Sequence, residues 1–453
     1  MKAVFFVIMF TFFTFLGFAQ NEISNNDKIY GLSLLWKEID YNFPYFDRVP
    51  ELNWDSLYLS YIPKILNTEN DVSYYNVLDE FIANLHEGHT RIIRPQKLDK
   101  KTYLQIYCNI TDAGIFVTGV GESLKDSIPI GSQILEIDDL DPFTYMDKKV
   151  LPFISVNDHV KYVKAANVDL FAGEKGTRVK IKIKTLKNPN KTVILERTGE
   201  YGKWVGPYDI KLADGFSFKR LDNDIAYIRF GSFTSYKFIE EFFAIIDELE
   251  DCKGIIIDLR GNYGGTSYGD KICEFFTKKE KFESFACLTR INNAYLKALG
   301  AYSDSLVANA INVTPRYQKY SGYYVGNEFK LQEFFSEKDT LKTYLDQPLV
   351  VLINEFTASA AETFLITLKN INRGIFVGTP SSGSSCQPLV VLLPGGGQAR
   401  ICTQKAVFAD GELFNYIPPD FEIKPSVQDY ISENDVVLNK GIEILLDLVK
   451  SGN

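Results

Sequence analysis

Histidine is scarce in this chain, and its scarcity limits the kinds of site that the protein can build. The 453 residues include only three histidines, His86, His89 and His159. Two of them lie in the tetrapeptide HEGH, where they are three residues apart instead of the four of a HExxH zinc motif. The six cysteines form no CxxC pair. We therefore expect no metal site, and nothing in the sequence calls for another cofactor.

Phosphate-binding and basic motifs are missing as well. The glycine-rich segment GNYGG has neither the GxGxxG spacing nor a following GK[ST], which argues against a nucleotide phosphate loop. The formal net charge is −9, so nucleic acids and anionic membrane surfaces are not expected partners. Beyond the first segment there is no run of 18 apolar residues, and we expect no stable membrane insertion. The sequence leaves the oligomeric state open.

The chain begins with the features of a secretory signal peptide over residues 1–19. Lys2 supplies the positive start, Val4–Leu16 the apolar run, and Gly17-Phe18-Ala19 a small-residue cleavage pattern. The apolar run is shorter than a membrane span requires. We therefore expect a secreted or periplasmic protein, in which disulfides can form, although the cysteine spacing pairs none of them.

Hydrophobic periodicity divides the mature chain into three parts. Residues 26–98 show the amphipathic spacing of helices, whereas residues 102–198 alternate apolar and polar side chains as strands do. In residues 209–453, apolar runs such as GIIIDLR and LVVLIN alternate with helical patterns. The sequence therefore predicts an N-terminal helical domain, a β domain and an α/β core.

One serine of the core stands at a strand-to-helix junction. Leu349–Ile353 is an apolar run suited to a buried strand, and Ala358–Leu368 is rich in the helix formers alanine and leucine. Ser359 therefore falls in the first helical turn, where backbone N–H groups lack partners and the helix dipole favours negative charge. This serine could be an exposed nucleophile, or Thr357 or Ser359 could only cap the helix.

A second apolar strand, Ile255–Leu259, runs into the turn RGNYGG. Gly261, Gly264 and Gly265 can adopt positive φ angles and let the backbone approach a ligand closely. Taken alone, this turn could equally be an ordinary tight connection between a strand and a helix.

The segment DLRGNYGG, followed by VVLINEFTASAAE, resembles the core of the C-terminal processing peptidases and their tricorn-core relatives. The resemblance implies a serine peptidase with a crotonase-like, ClpP-like α/β core. Matched residue by residue, Ser359 stands at the nucleophile and the amide of Ala360 at one oxyanion donor. Gly264 or Gly265 stands at the other donor.

The chain departs from the processing peptidases at their catalytic lysine. That lysine follows the nucleophile by 25 residues, and the residue at this distance here is Ser384. No lysine lies between Asn370 and Arg400. Because a serine hydroxyl needs a positioned base, another group must activate it. The tricorn-core branch carries a histidine in a similar GHT stretch, which implies His89 as the base, with His86 as the alternative.

A histidine base usually has an acid that fixes its tautomer and stabilises its charged form. The tricorn-core resemblance places a glutamate just before a stretch that matches Ile417–Asp420 here. Glu412 is the nearest suitable acid and Asp410 the alternative, although either could be a solvated turn residue. Glu362, three residues after Ser359, is expected to bond backbone near the helix start.

Within the β domain, GIFVTGVGES and the following SQILEID resemble a PDZ domain, with Ser132 and Asp138 departing from its usual hairpin. PDZ domains capture extended peptides by strand addition. The alternative is a structural β domain that binds no peptide.

The sequence thus predicts an exported serine peptidase acting on peptides or unfolded proteins. Two alternatives stay open. One is a peptide-binding protein that keeps the peptidase fold without catalysis, and the other is an esterase.

Overall fold

The computed structural model describes residues 22–99, 101–206, 215–308, 319–338, 343–408 and 410–451. The signal peptide expected at residues 1–19 lies outside these ranges. Within them, no helix is both long enough and apolar enough to cross a membrane. The fold is mixed α/β, as the sequence predicts.

Three helices form the N-terminal part: Asn25–Asn42, Trp54–Leu66 and Asp71–Ala83. Each begins after a serine or asparagine whose side chain accepts a backbone N–H of the first turn. Their apolar faces share one core rich in aromatic residues, including the fully buried Tyr74 and Phe81.

The helical character predicted as far as residue 98 ends at Ala83. The backbone turns at His86, where φ is +51°, and continues as the strand Arg91–Ile93. This strand pairs antiparallel with Gln398–Cys402, which also pairs with Pro388–Leu392. The pairing fixes the loop that carries His86 and His89 against the core.

A six-stranded antiparallel sheet forms the β domain. Five of its strands lie in the order Ile106–Thr111, Gly114–Gly121, Gln133–Ile137, Arg178–Lys184 and Lys191–Glu196, and the short strand Trp204–Val205 pairs with the second of them. Lys101–Thr102 and Gly173–Glu174 pair with each other, and helices lie at Pro142–Lys149 and Lys161–Lys164. The sheet and the first of these helices enclose a hydrophobic core of their own.

The central sheet of the α/β core has six strands. In spatial order they are Phe216–Leu221, Ile225–Phe230, Gly254–Asp258, Leu349–Ile353, Ile375–Gly378 and Phe421–Glu422. The first pairs antiparallel with its neighbour, and the remaining pairs are parallel.

The central strands Ile225–Phe230, Gly254–Asp258 and Leu349–Ile353 are buried on both faces, which explains why they read as nearly continuous apolar runs. On one face, Ile257 and Val351 share a core with the helix Ala360–Asn370. On the other, Ile256 packs with the C-terminal helix Val436–Ser451. Further core helices are Lys237–Phe243, Ile246–Glu250, Gly269–Cys273 and Val427–Ile431.

A smaller sheet is built around the strand Lys281–Arg290, which pairs antiparallel with both Phe329–Glu337 and Gln404–Val407. Helices Ala294–Ala308 and Ser321–Tyr324 lie in the connection between the first two of these strands.

The central strands decide where the two sequence motifs meet. Asp258 pairs in parallel register with Leu352, so the carboxyl ends of these neighbouring strands lie at the same edge of the sheet. The glycine-rich turn follows one strand and the turn before Ser359 follows the other. The fold therefore brings both motifs to one place.

Candidate active site

Ser359 lies in a sharp turn between the strand Leu349–Ile353 and the helix Ala360–Asn370. Its φ of +57° and ψ of −122° are rare for a residue with a side chain. Such strain persists only where the surroundings enforce it, and it is typical of a nucleophile presented on a tight strand-to-helix turn. The backbone N–H of Ser359 donates to the carbonyl of Ser384 over 2.7 Å and lies 3.1 Å from a carboxylate oxygen of Glu362. Thr357, the other candidate cap, donates its hydroxyl to the carbonyl of Leu259 instead.

The imidazole of His89 reaches the Ser359 hydroxyl although 270 residues separate them along the chain. The distance from Nε2 to Oγ is 3.0 Å, which is within hydrogen-bond range. The ring is partly exposed, with 17% of the side chain accessible. Of the two expected positions for a base, the structure therefore brings His89 to the serine.

The other ring nitrogen of His89 faces Ser384 and Glu87. Nδ1 lies 2.7 Å from Ser384 Oγ and 3.5 Å from a carboxylate oxygen of Glu87. The Ser384 hydroxyl lies 3.5 Å from the same carboxylate oxygen and donates toward it. Ser384, 25 residues after Ser359 in the sequence, thus contacts the histidine.

Glu87 is a buried carboxylate with several fixed partners. It accepts the backbone N–H groups of His89 and Thr90 and the Thr90 hydroxyl. Burial by itself would raise the pKa of Glu87, but the hydrogen bonds and charge of His89, together with Thr90, hold that pKa below its ordinary value. The carboxylate next to the ring is therefore charged near neutral pH.

The sequence prediction of the supporting acid does not agree with this geometry. Glu412 is exposed, and its backbone groups bond with Asp410 and Phe408 in a turn. The acid beside His89 is Glu87, only two residues away along the chain. This glutamate is part of the HEGH segment, whereas the motif resemblance favours an acid in the distant loop.

The glycine-rich turn packs directly against the serine. A side-chain carbon added at Gly264 would lie 2.7 Å from the amide nitrogen of Ala360 and from Cβ of Ser359. The amide of Gly264 itself donates to the side-chain oxygen of Asn262 over 2.9 Å. Within the described ranges, the amides of Gly265 and Ala360 donate to no protein acceptor. The lack of a side chain at Gly264 therefore lets the glycine-rich turn lie close to Ser359. The backbone N–H groups of Gly265 and Ala360 are left available to a bound ligand.

Glu362 bonds backbone near the helix start, as expected, and it also joins the nucleophile turn to the loop at 381–384. Besides the Ser359 amide, its carboxylate accepts the hydroxyl of Ser381 and the amides of Gly383 and Ser384. Burial raises the pKa of Glu362, although these bonds oppose the change.

The remaining histidines contact other parts of the protein. His86 is partly exposed and lies 3.2 Å from the Asp158 carboxylate. His159 bonds the carbonyl of Ser381 and stacks on Tyr416, and burial lowers its pKa.

A disulfide joins Cys386 to Cys402, with 5.7 Å between their Cα atoms. It links the loop after Ser384 to the strand that pairs beside His89, and the Cys402 amide donates to the Thr90 hydroxyl. Four further cysteines are free and buried, at Cys108, Cys252, Cys273 and Cys287. Within the described ranges, no group of three or more histidine, cysteine or acidic side chains is arranged to hold a metal ion.

Comparisons with known proteins show what the chain and its fold are similar to. Residues 224–423 match the model of peptidase family S41.

Among solved structures, mature CPAF superposes with a TM-score of 0.71 at 16% identity, covering 95% of this chain and 98% of that one. The complex of mature CPAF with lactacystin gives 0.70 at 16% identity, with coverage of 95% and 99%. A protein from Parabacteroides merdae gives 0.52 at 18% identity, with coverage of 93% and 97%. At these identities the superpositions establish the fold alone. No curated protein matches the chain.

Proposed function

This chain belongs to peptidase family S41 and is a serine-type peptidase, and we propose that it cleaves peptide bonds with Ser359 as nucleophile and His89 as general base. The observation that carries the proposal is the 3.0 Å separation between His89 Nε2 and Ser359 Oγ. It meets the requirement that a base lie within hydrogen-bond reach of the proton it removes.

The hydrogen-bond partners of the two ring nitrogens indicate the tautomer of His89. When Nε2 accepts a hydrogen bond from the Ser359 hydroxyl, Nδ1 carries the ring proton and donates a hydrogen bond to Ser384 Oγ. The Ser384 hydroxyl in turn points its proton toward Glu87. This chain of donors fixes the tautomer that leaves Nε2 free to act as a base.

In the first chemical step, Ser359 Oγ attacks the peptide carbonyl while its proton moves to His89. The imidazolium that forms lies beside the charged Glu87, which stabilises it without taking the proton. His89 then protonates the leaving amine, and a water molecule activated by the same ring releases the acyl group.

The tetrahedral intermediate carries a negative oxygen that needs donors in place before the reaction. The unengaged amides of Ala360 and Gly265 are the donors that we assign to this role, and the first turn of the helix adds its dipole. A single such donor is commonly worth about 3–4 kcal/mol of transition-state stabilisation.

We further propose that residues 209–453 form a crotonase-like core and that the β domain is PDZ-like and captures extended peptides. The strand Ile106–Thr111 is an edge of its sheet within the described residues, so its outer side can accept another strand. A cavity of about 330 Å³ lies beside it, between the β domain and the core, with Tyr107, Val163 and Phe356 in its lining. Such a cavity is large enough for a few side chains of a bound peptide.

We also propose that the protein is exported to the periplasm or beyond. The leader pattern at residues 1–19 motivates this assignment. The Cys386–Cys402 disulfide supports it, because such bonds persist mainly in oxidising compartments.

The test is covalent labelling of the purified protein with a fluorophosphonate probe. We expect labelling of the wild type and its loss in Ser359→Ala and His89→Ala. His86→Ala is the matched control, since it removes a nearby histidine that does not contact the serine, and it should label normally. Labelling that survives Ser359→Ala would refute the assigned nucleophile, and an unlabelled wild type would favour the non-catalytic peptide-binding alternative.

Hydrolysis of a peptide library by the same variants separates peptidase from esterase activity. Cleavage of peptides that disappears in Ser359→Ala supports the proposal. Cleavage of small esters alone would replace it with the esterase alternative.

A further inference from the structure

One segment of the β domain, residues 155–164, makes a series of polar contacts with the active-site loops. The Ser155 hydroxyl donates to the carbonyl of Glu87. The Asn157 amide donates to the carbonyls of Ser382 and Gly383, at 3.1 Å for the first of them. The β domain is thus bonded to two segments that surround the His89 ring. One contains Glu87, and the other is the loop at 381–384.

Lys164 extends this set of contacts with a positive charge. Its amino group donates to Ser382 Oγ over 2.7 Å. The preceding residue, Ser381, donates its hydroxyl to Glu362. The lysine and the buried carboxylate therefore lie on the two sides of a pair of adjacent serines.

The charge of Lys164 has a physical reason to matter at this position. A buried carboxylate is costly unless a positive charge or hydrogen bonds compensate it. Burial lowers the pKa of Lys164, and the charge of Glu362 opposes this change. Burial also raises the pKa of Glu362, and its hydrogen bonds and the charge of Lys164 oppose that change. Glu355 and Glu87 are the other carboxylates whose charge acts on Lys164.

We propose that Lys164 is a positioning residue, delivered by the β domain, whose hydrogen bond to Ser382 holds the 381–384 loop against the Ser359 turn in the reactive arrangement. This inference rests on the proposed function of Ser359 and His89. Glu362 accepts hydrogen bonds from the Ser359, Gly383 and Ser384 amides, so the loop that Lys164 holds is also bonded to the Ser359 turn. Without Lys164 the loop loses its bond at Ser382, and the Ser384 hydroxyl is less firmly placed beside His89.

The test compares Lys164→Met with Lys161→Met. Lys161 lies on the same short helix but pairs with Asp158 at the surface, so it is a matched control. We expect Lys164→Met to slow fluorophosphonate labelling of Ser359 by about tenfold, the order of coupling between groups in one hydrogen-bond network. Lys161→Met should label at the wild-type rate. Lys164→Arg, which retains the charge, should recover most of the lost rate.

A second background distinguishes positioning through Ser382 from a general loss of stability. In Ser382→Ala the hydroxyl that accepts from Lys164 is absent, so adding Lys164→Met should slow labelling no further. An equal loss in both backgrounds would overturn the proposal.

Hydrogen–deuterium exchange of the 381–386 segment provides a measurement that needs no catalysis. We expect faster exchange in Lys164→Met and unchanged exchange in Lys161→Met. If the wild type is not labelled while this difference is present, the peptidase mechanism fails and the positioning of the loop by Lys164 is supported. Unchanged exchange in Lys164→Met would refute it whatever the labelling result.

Discussion

The hydroxyl oxygen of Ser384 lies 2.7 Å from Nδ1 of His89, on the side of the ring opposite to Ser359. Ser384 stands 25 residues after Ser359 in the sequence. It and the proposed base His89 come from parts of the chain 295 residues apart.

Replacement of Ser384 by alanine removes the hydrogen bond to Nδ1 but leaves Glu87 3.5 Å from the ring. We expect kcat/KM to fall by about tenfold, the value of one hydrogen bond to a partly charged group. Steady-state hydrolysis of a peptide substrate measures the change. Ser385→Ala is the control, since among the described residues that hydroxyl has a single hydrogen-bond contact, with Thr363 at 3.5 Å. Equal losses in the two variants would contradict a specific role for Ser384.

Replacement of Glu87 by glutamine keeps the shape of the side chain and removes its charge. Without the carboxylate, the imidazolium loses its stabilising partner and the tautomer is less well fixed, so we expect kcat to fall by about 10²–10⁴-fold. Glu412→Gln, at the exposed acid that the motif resemblance favoured, should leave kcat unchanged. The reverse pattern would restore Glu412 as the supporting acid.

Replacement of Gly264 by alanine tests the close approach of the glycine-rich turn. The added carbon would meet backbone of Ala358 and Ala360 at 2.7 Å, so one turn must move and the oxyanion donors with it. We expect a loss of about 10²-fold in labelling rate, as for an ångström-scale misplacement of catalytic groups. Gly176→Ala is the control, because its φ of +85° is also positive but its added carbon meets nothing within 4 Å. A similar loss of activity there would show that backbone strain alone is responsible.

Asp270 makes the stability of the protein depend on pH. Burial raises its pKa from 3.8 to about 6, against the hydrogen bonds of Thr367 and Ser336. Because the folded state holds this proton more tightly than the unfolded state, its contribution to stability falls as the pH rises from about 4 to 6, by at most about 3 kcal/mol. Denaturant unfolding at pH 4 and pH 7.5 measures the change. In Asp270→Asn the free energy of unfolding should lose this component of its pH dependence, whereas Asp126→Asn, at an exposed site, should retain it.

The Cys386–Cys402 disulfide closes a loop across a sequence separation of 16. A loop of this size is expected to lower the free energy of the folded state relative to the unfolded state by about 3 kcal/mol. We expect reductant to lower the midpoint of thermal unfolding of the wild type, and to have no such effect on the Cys386→Ser, Cys402→Ser double variant. An insensitive wild type would show that the bond contributes nothing to stability.

Several features were predictable because local sequence encodes them. The apolar runs at 255–259 and 349–353 are central strands of one sheet within a residue of those bounds, and a helix follows Ser359. Residues 84–98 were harder to predict. Their strand exists because Arg91–Ile93 pairs with residues some 300 positions away, and no local pattern specifies such a partner.

The supporting acid shows the same limit in the site itself. Glu87 lies beside His89 in the sequence, yet its role depends on a turn at His86 that directs both side chains toward Ser384. Lys164 carried no sequence signal at all, because its hydrogen-bond partner Ser382 belongs to another part of the chain, 218 residues away.

By itself the amino-acid sequence determined the serine at its strand-to-helix turn, the glycines that let a neighbouring loop approach it, and the succession of helical, β and α/β parts. These features depend on hydrophobic periodicity and on the conformational range of single residues. The tertiary structure alone decided which imidazole nitrogen meets the serine, which acid lies behind the ring and which domain contributes a charge, because those contacts depend on long-range strand pairing and domain packing.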